Sequence, residues 1–218
     1  MKLTIPGFGW VLLALLWLNS SAFAADTPAK PAKKSSKDEV VTITTSQGVI
    51  RLILFDDTPL HKANFLQKAK SGFYDGTTFH RVISGFMIQG GDANSKDADP
   101  NNDGMGQPTD PTIPAEFGPG YKHNYGALAA ARQGDFANPQ RASSSSQFYL
   151  VENQDGTHFL DGQYTVFGQA IQGLDIINKI AALPKDGRDR PTTDLKMTMK
   201  VEKLKRKKIT KIYGYKYE

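Results

Sequence analysis

The sequence predicts a mainly β domain, an antiparallel barrel or sandwich closed by helices. Three observations lead there: short β-branched and aromatic runs recur along the chain, only two segments have helical spacing, and strands and helices do not alternate as βαβ units. The chain has 218 residues, 39% hydrophobic and 22% charged, which suits one compact domain with an ordinary core.

The elements follow in order. Residues 1–24 read as an export signal, with Lys2 as the positive start, a short apolar run over residues 10–18, and the A-x-A site Ala22-Phe23-Ala24. Cleavage there leaves no transmembrane span. Residues 25–38 hold Ala, Pro, Lys and Ser without a large apolar group and are expected to be a solvated linker. Residues 41–45 and 49–55 form two strand-like runs joined at Ser46-Gln47-Gly48, a hairpin whose glycine supplies positive φ. Thr58 as cap and Pro59 in the first turn predict a helix over residues 59–71, with Leu60, Ala63, Leu66 and Ala69 inward and Gly72 ending it. Short strands follow, then a second amphipathic helix near residues 174–183 and a closing strand over residues 195–204.

Composition excludes several chemistries. With no cysteine there is no disulfide, thiolate zinc site, iron–sulfur ligation or thiol nucleophile. His61, His80, His123 and His158 are scattered singly, without metal-enzyme spacing, and read as helix-surface, site-supporting, barrel-edge and loop residues respectively. The serine run 143–146 lacks a G-x-S-x-G frame. The net charge of +5 resides in the ends: residues 203–218 carry seven Lys/Arg against one Glu, whereas residues 39–202 carry fifteen basic and nineteen acidic side chains. A specific nucleic-acid partner is therefore not expected.

The most informative stretch is FHRVISGFMIQGGD, residues 79–92. Arg81 and Gln89 are set among large apolar residues, and the Gly85 break re-aims Phe86 to Gln89, so a cation and an amide adjoin an apolar pocket. The stretch resembles the central signature of the cyclophilin prolyl cis/trans isomerases. SGFYDGTTF (71–79), YGALAAAR (125–132), SSSSQFYLV (143–151) and FLDGQYTVFGQAIQGLDIINKI (159–180) match further blocks in order, over about residues 40–202, most closely in the secreted bacterial branch.

The resemblance implies an eight-stranded antiparallel closed β-barrel capped by two α-helices, with an isomerase domain at 39–202, a basic tail at 203–218 and a groove outside the barrel. It implies Arg81 as the catalytic cation and Phe86, Met87, Tyr149 and Leu160 as the proline pocket. Gln89 and Gln147 are implied as polar groups near the substrate, and Ala131 and Arg132 as the segment whose backbone pairs with it. Phe159, Tyr164 and Arg132 stand where animal cyclophilins have Trp, His and Asn, and Phe159 lacks the indole donor, so weak cyclosporin binding is implied. No cofactor or metal is needed, because a fixed guanidinium stabilises a twisted amide directly. The implied partners are unfolded or partly folded polypeptides with X-Pro bonds, met by a monomer in the periplasm. A proline-binding chaperone without catalysis and a polyanion binder acting through the basic tail are the rival readings. Asp99, Asn101, Asp103 and Asp110 reproduce some calcium-loop spacings, but the end residue is Asp and flanking helices are lacking, so a hydrophilic loop is expected there.

Overall fold

The structure, a computed structural model, describes residues 35–107, 109–118 and 120–217. The expected export signal and residues 25–34 of the linker lie outside the described residues. Strand β1 (Lys37–Thr45) begins inside the segment expected to be linker. It pairs with β2 (Gly48–Leu54) in the predicted hairpin, with Thr45 opposite Gly48 so that Gly48 belongs to the second strand rather than to the turn. Gly48 has φ 139°, and a Cβ there would lie 2.5 Å from the Ile176 side chain, so both conformation and space demand glycine.

The remaining strands are β3 (Phe79–Ile83), β4 (Met87–Gly90), β5 (Thr112–Ile113), β6 (Ala127–Ala130), β7 (Ser143–Ser144), β8 (Phe148–Val151), β9 (Val166–Gln172) and β10 (Thr198–Lys205). Eight of them form one antiparallel sheet in the order β10-β1-β2-β9-β6-β8-β4-β3, and β5 pairs with β7 separately. Backbone bonds link the chain just before β10 to that leading into β3: Gly76 N–H to Met197 O at 2.9 Å, Met197 N–H to Thr77 O at 2.8 Å, and Phe79 N–H to Leu195 O at 3.1 Å. All eight strands contribute to one core, including Ile43, Leu52, Phe79, Val82, Ile88, Leu128, Phe148, Phe167 and Met199. The interior is thus filled by side chains, and ligands must bind outside.

Helix α1 (Pro59–Lys70) forms where expected, but its start is fixed differently. The Thr58 side chain does not cap; its hydroxyl donates to Phe55 O at 3.3 Å. The cap comes from a distant carboxylate, as Glu116 accepts from the N–H groups of Leu60 (3.0 Å) and His61 (2.9 Å). The buried face is His61, Phe65, Leu66 and Ala69; Leu66 and Ala69 point inward as expected, while Leu60 is half exposed and His61 and Phe65 take the inward places expected of Leu60 and Ala63. Helix α2 (Leu174–Ala181) buries Ile177, Ile180 and Ala181 on the core.

The sequence anticipated two helices, and the described residues contain three. After β10, which runs through Lys205, residues Arg206–Tyr213 form α3. Its Ile209 is fully buried against Val40 and Ile53, the outward faces of β1 and β2, with Tyr213, Tyr215 and Tyr217 alongside. Arg206 reaches Asp56 at 2.6 Å and Asp38 at 3.5 Å. Among the described residues no helix is long and apolar enough to cross a membrane.

Candidate active-site groove

The groove is built on the outward faces of β3, β4, β8 and β6. The β3–β4 ladder pairs Phe79 with Gly90 and then Arg81 with Gln89, so His80 is an extra residue on its strand. This bulge reverses the alternation. Phe79 and Val82 both point into the core, and Arg81 and Ile83 face out, opposite Gln89 and Met87. Gln89 and Met87 in turn stand opposite Tyr149 and Val151, and Tyr149 opposite Ala129. A second apolar cluster results outside the barrel, made by Met87, Ala129, Ala131 and Tyr149, with Phe86, Leu160 and Tyr164 packed against it.

Nine of the anticipated residues meet at one cavity of about 130 Å³: Arg81, Phe86, Met87, Gln89, Ala131, Arg132, Tyr149, Leu160 and Tyr164. Among the described residues Arg81 takes part in no ion pair or side-chain hydrogen bond, so its donors remain available to a ligand. Gln147 lies to one side, accepting from Gln89 Nε2 at 3.0 Å and donating to Gly104 O at 3.1 Å. It lines an adjoining cavity of about 440 Å³. Phe159 is two-thirds exposed and stacks on Phe86 with ring centroids 5.8 Å apart, at the rim rather than in the cavity wall.

One expectation changes. The backbone of Ala131 is already used, its N–H by Gln147 O (3.0 Å) and its C=O by Ser144 N–H (2.8 Å), so Ala131 offers only its methyl group. The Arg132 side chain is consumed internally: Nε donates to Gln163 O at 2.9 Å, Nη1 lies 2.6 Å from Asp135, and the guanidinium covers the Tyr164 ring at 4.3 Å. It braces the pocket wall instead of facing a ligand.

The acidic loop does not gather into a metal cage. Asp103 is bound to Arg190 at 2.6 Å, Asp110 accepts from Gln107 N–H, and Asp99 accepts from Asn101. Among the described residues no group of three or more His, Cys, Asp or Glu could hold an ion.

Two histidines, His61 and His123, are the residues that sequence reasoning misjudged. His61 is buried and bound through Nδ1 to Glu116 at 2.6 Å, not on a helix surface. His123 is fully buried and joins the pocket to Asp161: its Nδ1 lies 2.8 Å from Asp161 Oδ1 and its Nε2 lies 2.9 Å from the Tyr149 hydroxyl. The ionised carboxylate only accepts, so Nδ1 carries the proton, Nε2 accepts, and the Tyr149 O–H donates. Burial lowers the pKa of His123 against the pull of Asp161. Burial pushes the Asp161 carboxyl up, but the His123 N–H and ring outweigh it and hold the group below its ordinary value. His80, nine-tenths buried behind Arg81 with neither ring nitrogen bonded, is pushed down to about 4 by that burial. A phenol followed by two distant singlet residues carries no sequence signal for the Tyr149–His123–Asp161 chain.

An uncompensated guanidinium on the lip of an apolar cavity, with amide donors beside it, can hold a cyclic apolar side chain and polarise the peptide group next to it. Comparison with known proteins agrees with that capability. Residues 40–201 match the family model described as cyclophilin type peptidyl-prolyl cis-trans isomerase/CLD. The chain is 36% identical over 161 residues to peptidyl-prolyl cis-trans isomerase A of Dickeya dadantii, covering 71% of this chain and 77% of that one. It is 36% identical over 169 residues to peptidyl-prolyl cis-trans isomerase-like 2 of Rhizopus delemar, covering 76% of this chain and only 29% of that longer protein. A cyclophilin-type isomerase crystal structure from Cryptosporidium parvum superimposes with a TM-score of 0.63 at 27% identity, covering 76% of this chain and 98% of that one.

Proposed function

The chain belongs to the cyclophilin-type peptidyl-prolyl cis-trans isomerases, and from that membership we propose that it isomerises X-Pro bonds of folding secreted or periplasmic polypeptides, with Arg81 as the catalytic residue. The observation that carries the assignment is the unpaired Arg81 on the wall of the 130 Å³ apolar cavity. The proline ring fills the space between Phe86, Met87, Tyr149 and Leu160, and Arg132 presents the backbone edge that a bound chain pairs with. Rotation breaks amide resonance, which sets a barrier of roughly 18–20 kcal/mol. As the bond twists, the nitrogen becomes pyramidal and basic and the carbonyl loses conjugation. A preorganised guanidinium binds that state more tightly than the planar amide, and a gain of about 5–6 kcal/mol takes tens of seconds to milliseconds. No proton transfer, nucleophile or metal enters the step. Export is supported by the Lys2 start, the apolar run and Ala22-Phe23-Ala24.

The test is a protease-coupled or NMR-exchange assay on a short X-Pro peptide. Arg81→Ala is expected to lower kcat/KM by about a hundredfold or more while the thermal melt stays cooperative. Near-normal turnover by the variant would overturn the assignment of Arg81. Normal peptide binding without turnover in the wild-type chain would instead favour the chaperone reading.

A further inference from the structure

Beside the proline cavity lies a third hollow of about 370 Å³ whose wall is unusually rich in arginine. It opens between two loops, residues 100–105 and residues 185–190, and four guanidiniums line it: Arg81, Arg132, Arg188 and Arg190. Two of these are spoken for. Arg190 is held by Asp103 at 2.6 Å and by Asp194 at 2.5 Å, and Arg132 by Asp135 at 2.6 Å. Of the other two, one is held loosely and one is free. The nearest carboxylate oxygen to Arg188 is that of Asp186 at 3.8 Å, its other contacts being long ones to Pro100 O (3.4 Å) and Asn101 Oδ1 (3.5 Å), and Arg81 has no partner among the described residues.

The ring of His80 completes the wall, nine-tenths buried with both nitrogens unbonded. Gly104 presses against it, since a Cβ there would lie 3.0 Å from the His80 ring. The unpaired Arg81 and the loosely held Arg188 around one hollow make a local cationic surplus, in a body whose residues 39–202 carry more acidic than basic side chains, and the neutral His80 ring adds an unmet donor. A buried ring nitrogen without a protein partner is met by an ordered water or by a bound group.

Arg81, Gln89 and Arg132 wall this hollow and the proline cavity alike. A chain seated with its proline in the apolar cavity therefore passes the mouth of the hollow within a residue or two, since each residue of extended chain spans about 3.3–3.6 Å. We propose that the hollow is a specificity subsite for an acidic side chain of the bound polypeptide, its carboxylate held by Arg188 while Arg81 stays free for the peptide bond. The proposal rests on the isomerase reading of the groove. Arg188 is the specificity residue: it reaches the substrate's carboxylate and takes no part in the rotation itself.

The test is a series of short X-Pro peptides carrying Asp, Asn or Lys at one or two residues before or after the X-Pro pair, each measured for both Kd by NMR titration and kcat/KM by exchange. At one position Asp is expected to exceed Asn by about three- to fivefold, through KM rather than kcat, and Lys to fall below both. Raising salt from about 20 mM to about 300 mM should erase the preference. Arg188→Gln should reduce it below about twofold and leave turnover of the Asn peptide unchanged. Equal values for Asp and Asn at every position, or a preference that survives Arg188→Gln, would overturn the subsite. Selective binding of the Asp peptide without turnover of any peptide would support the subsite and overturn the isomerase reading, so the two fail separately.

Discussion

One residue of bulge decides which way the catalytic cation faces. Without His80 as the extra residue in β3, Arg81 would follow Phe79 into the core, where an unpaired guanidinium costs several kcal/mol. The outward pairing of Arg81 with Ile83 was legible from strand alternation, whereas the bulge was not, because no glycine or proline marks it. The same scale explains Tyr149, whose ring lines the pocket while its hydroxyl is fixed by His123. Tyr149→Phe keeps the ring and strands a buried acceptor, the Nε2 of His123. The expected cost is about 1–3 kcal/mol, a drop of roughly 2–10 °C in Tm, with kcat/KM held within about threefold. Thermal melts and the peptide assay on one preparation check this, and an unchanged Tm would show that the hydrogen bond contributes nothing.

At the scale of elements, the hairpin β1–β2, helices α1 and α2 and the closing strand were readable, because glycine, proline and hydrophobic period are local signals. The third helix was not. Residues 203–218 look like a solvated charge run, and only the fold reveals that Val40 and Ile53 leave an apolar patch outside the barrel for Ile209 to cover. Likewise the cap on α1 is Glu116, far along the chain, and no local pattern announces a tertiary cap. The C-terminal helix is consequently a part of the domain's stability. Ile209→Ala should cost about 2–5 kcal/mol, as large-to-small changes at fully buried sites do, whereas Lys208→Ala on the exposed face should be nearly neutral. Peptide turnover at a temperature well below either melt should match the wild type, because the groove is built on other strands. Chemical denaturation measures the first expectation, and equal midpoints for the two variants would mean that α3 is not docked in solution.

For the whole molecule, net charge is a poor guide and buried titratable groups are a better one. Three histidines, His61, His80 and His123, are buried, and burial depresses each pKa below the ordinary value of 6.5, for His80 to about 4. The unfolded chain therefore binds protons that the folded chain refuses as pH drops below about 6.5. Stability carried by these groups is fully present above that pH and is lost on acidification, for His80 until the pH passes about 4. His80 alone accounts for a loss of about 3 kcal/mol over that window. Asp56, Glu116 and Asp161, each held below its ordinary value, extend the loss to lower pH with the same sign. Tm should fall steadily from pH 7 to pH 4.5, and more shallowly in His80→Gln, whose amide takes up no proton. Calorimetric scans of both proteins across that range decide the point: a flat wild-type profile, or parallel slopes for the two, would mean that His80 already bears its proton in the folded chain.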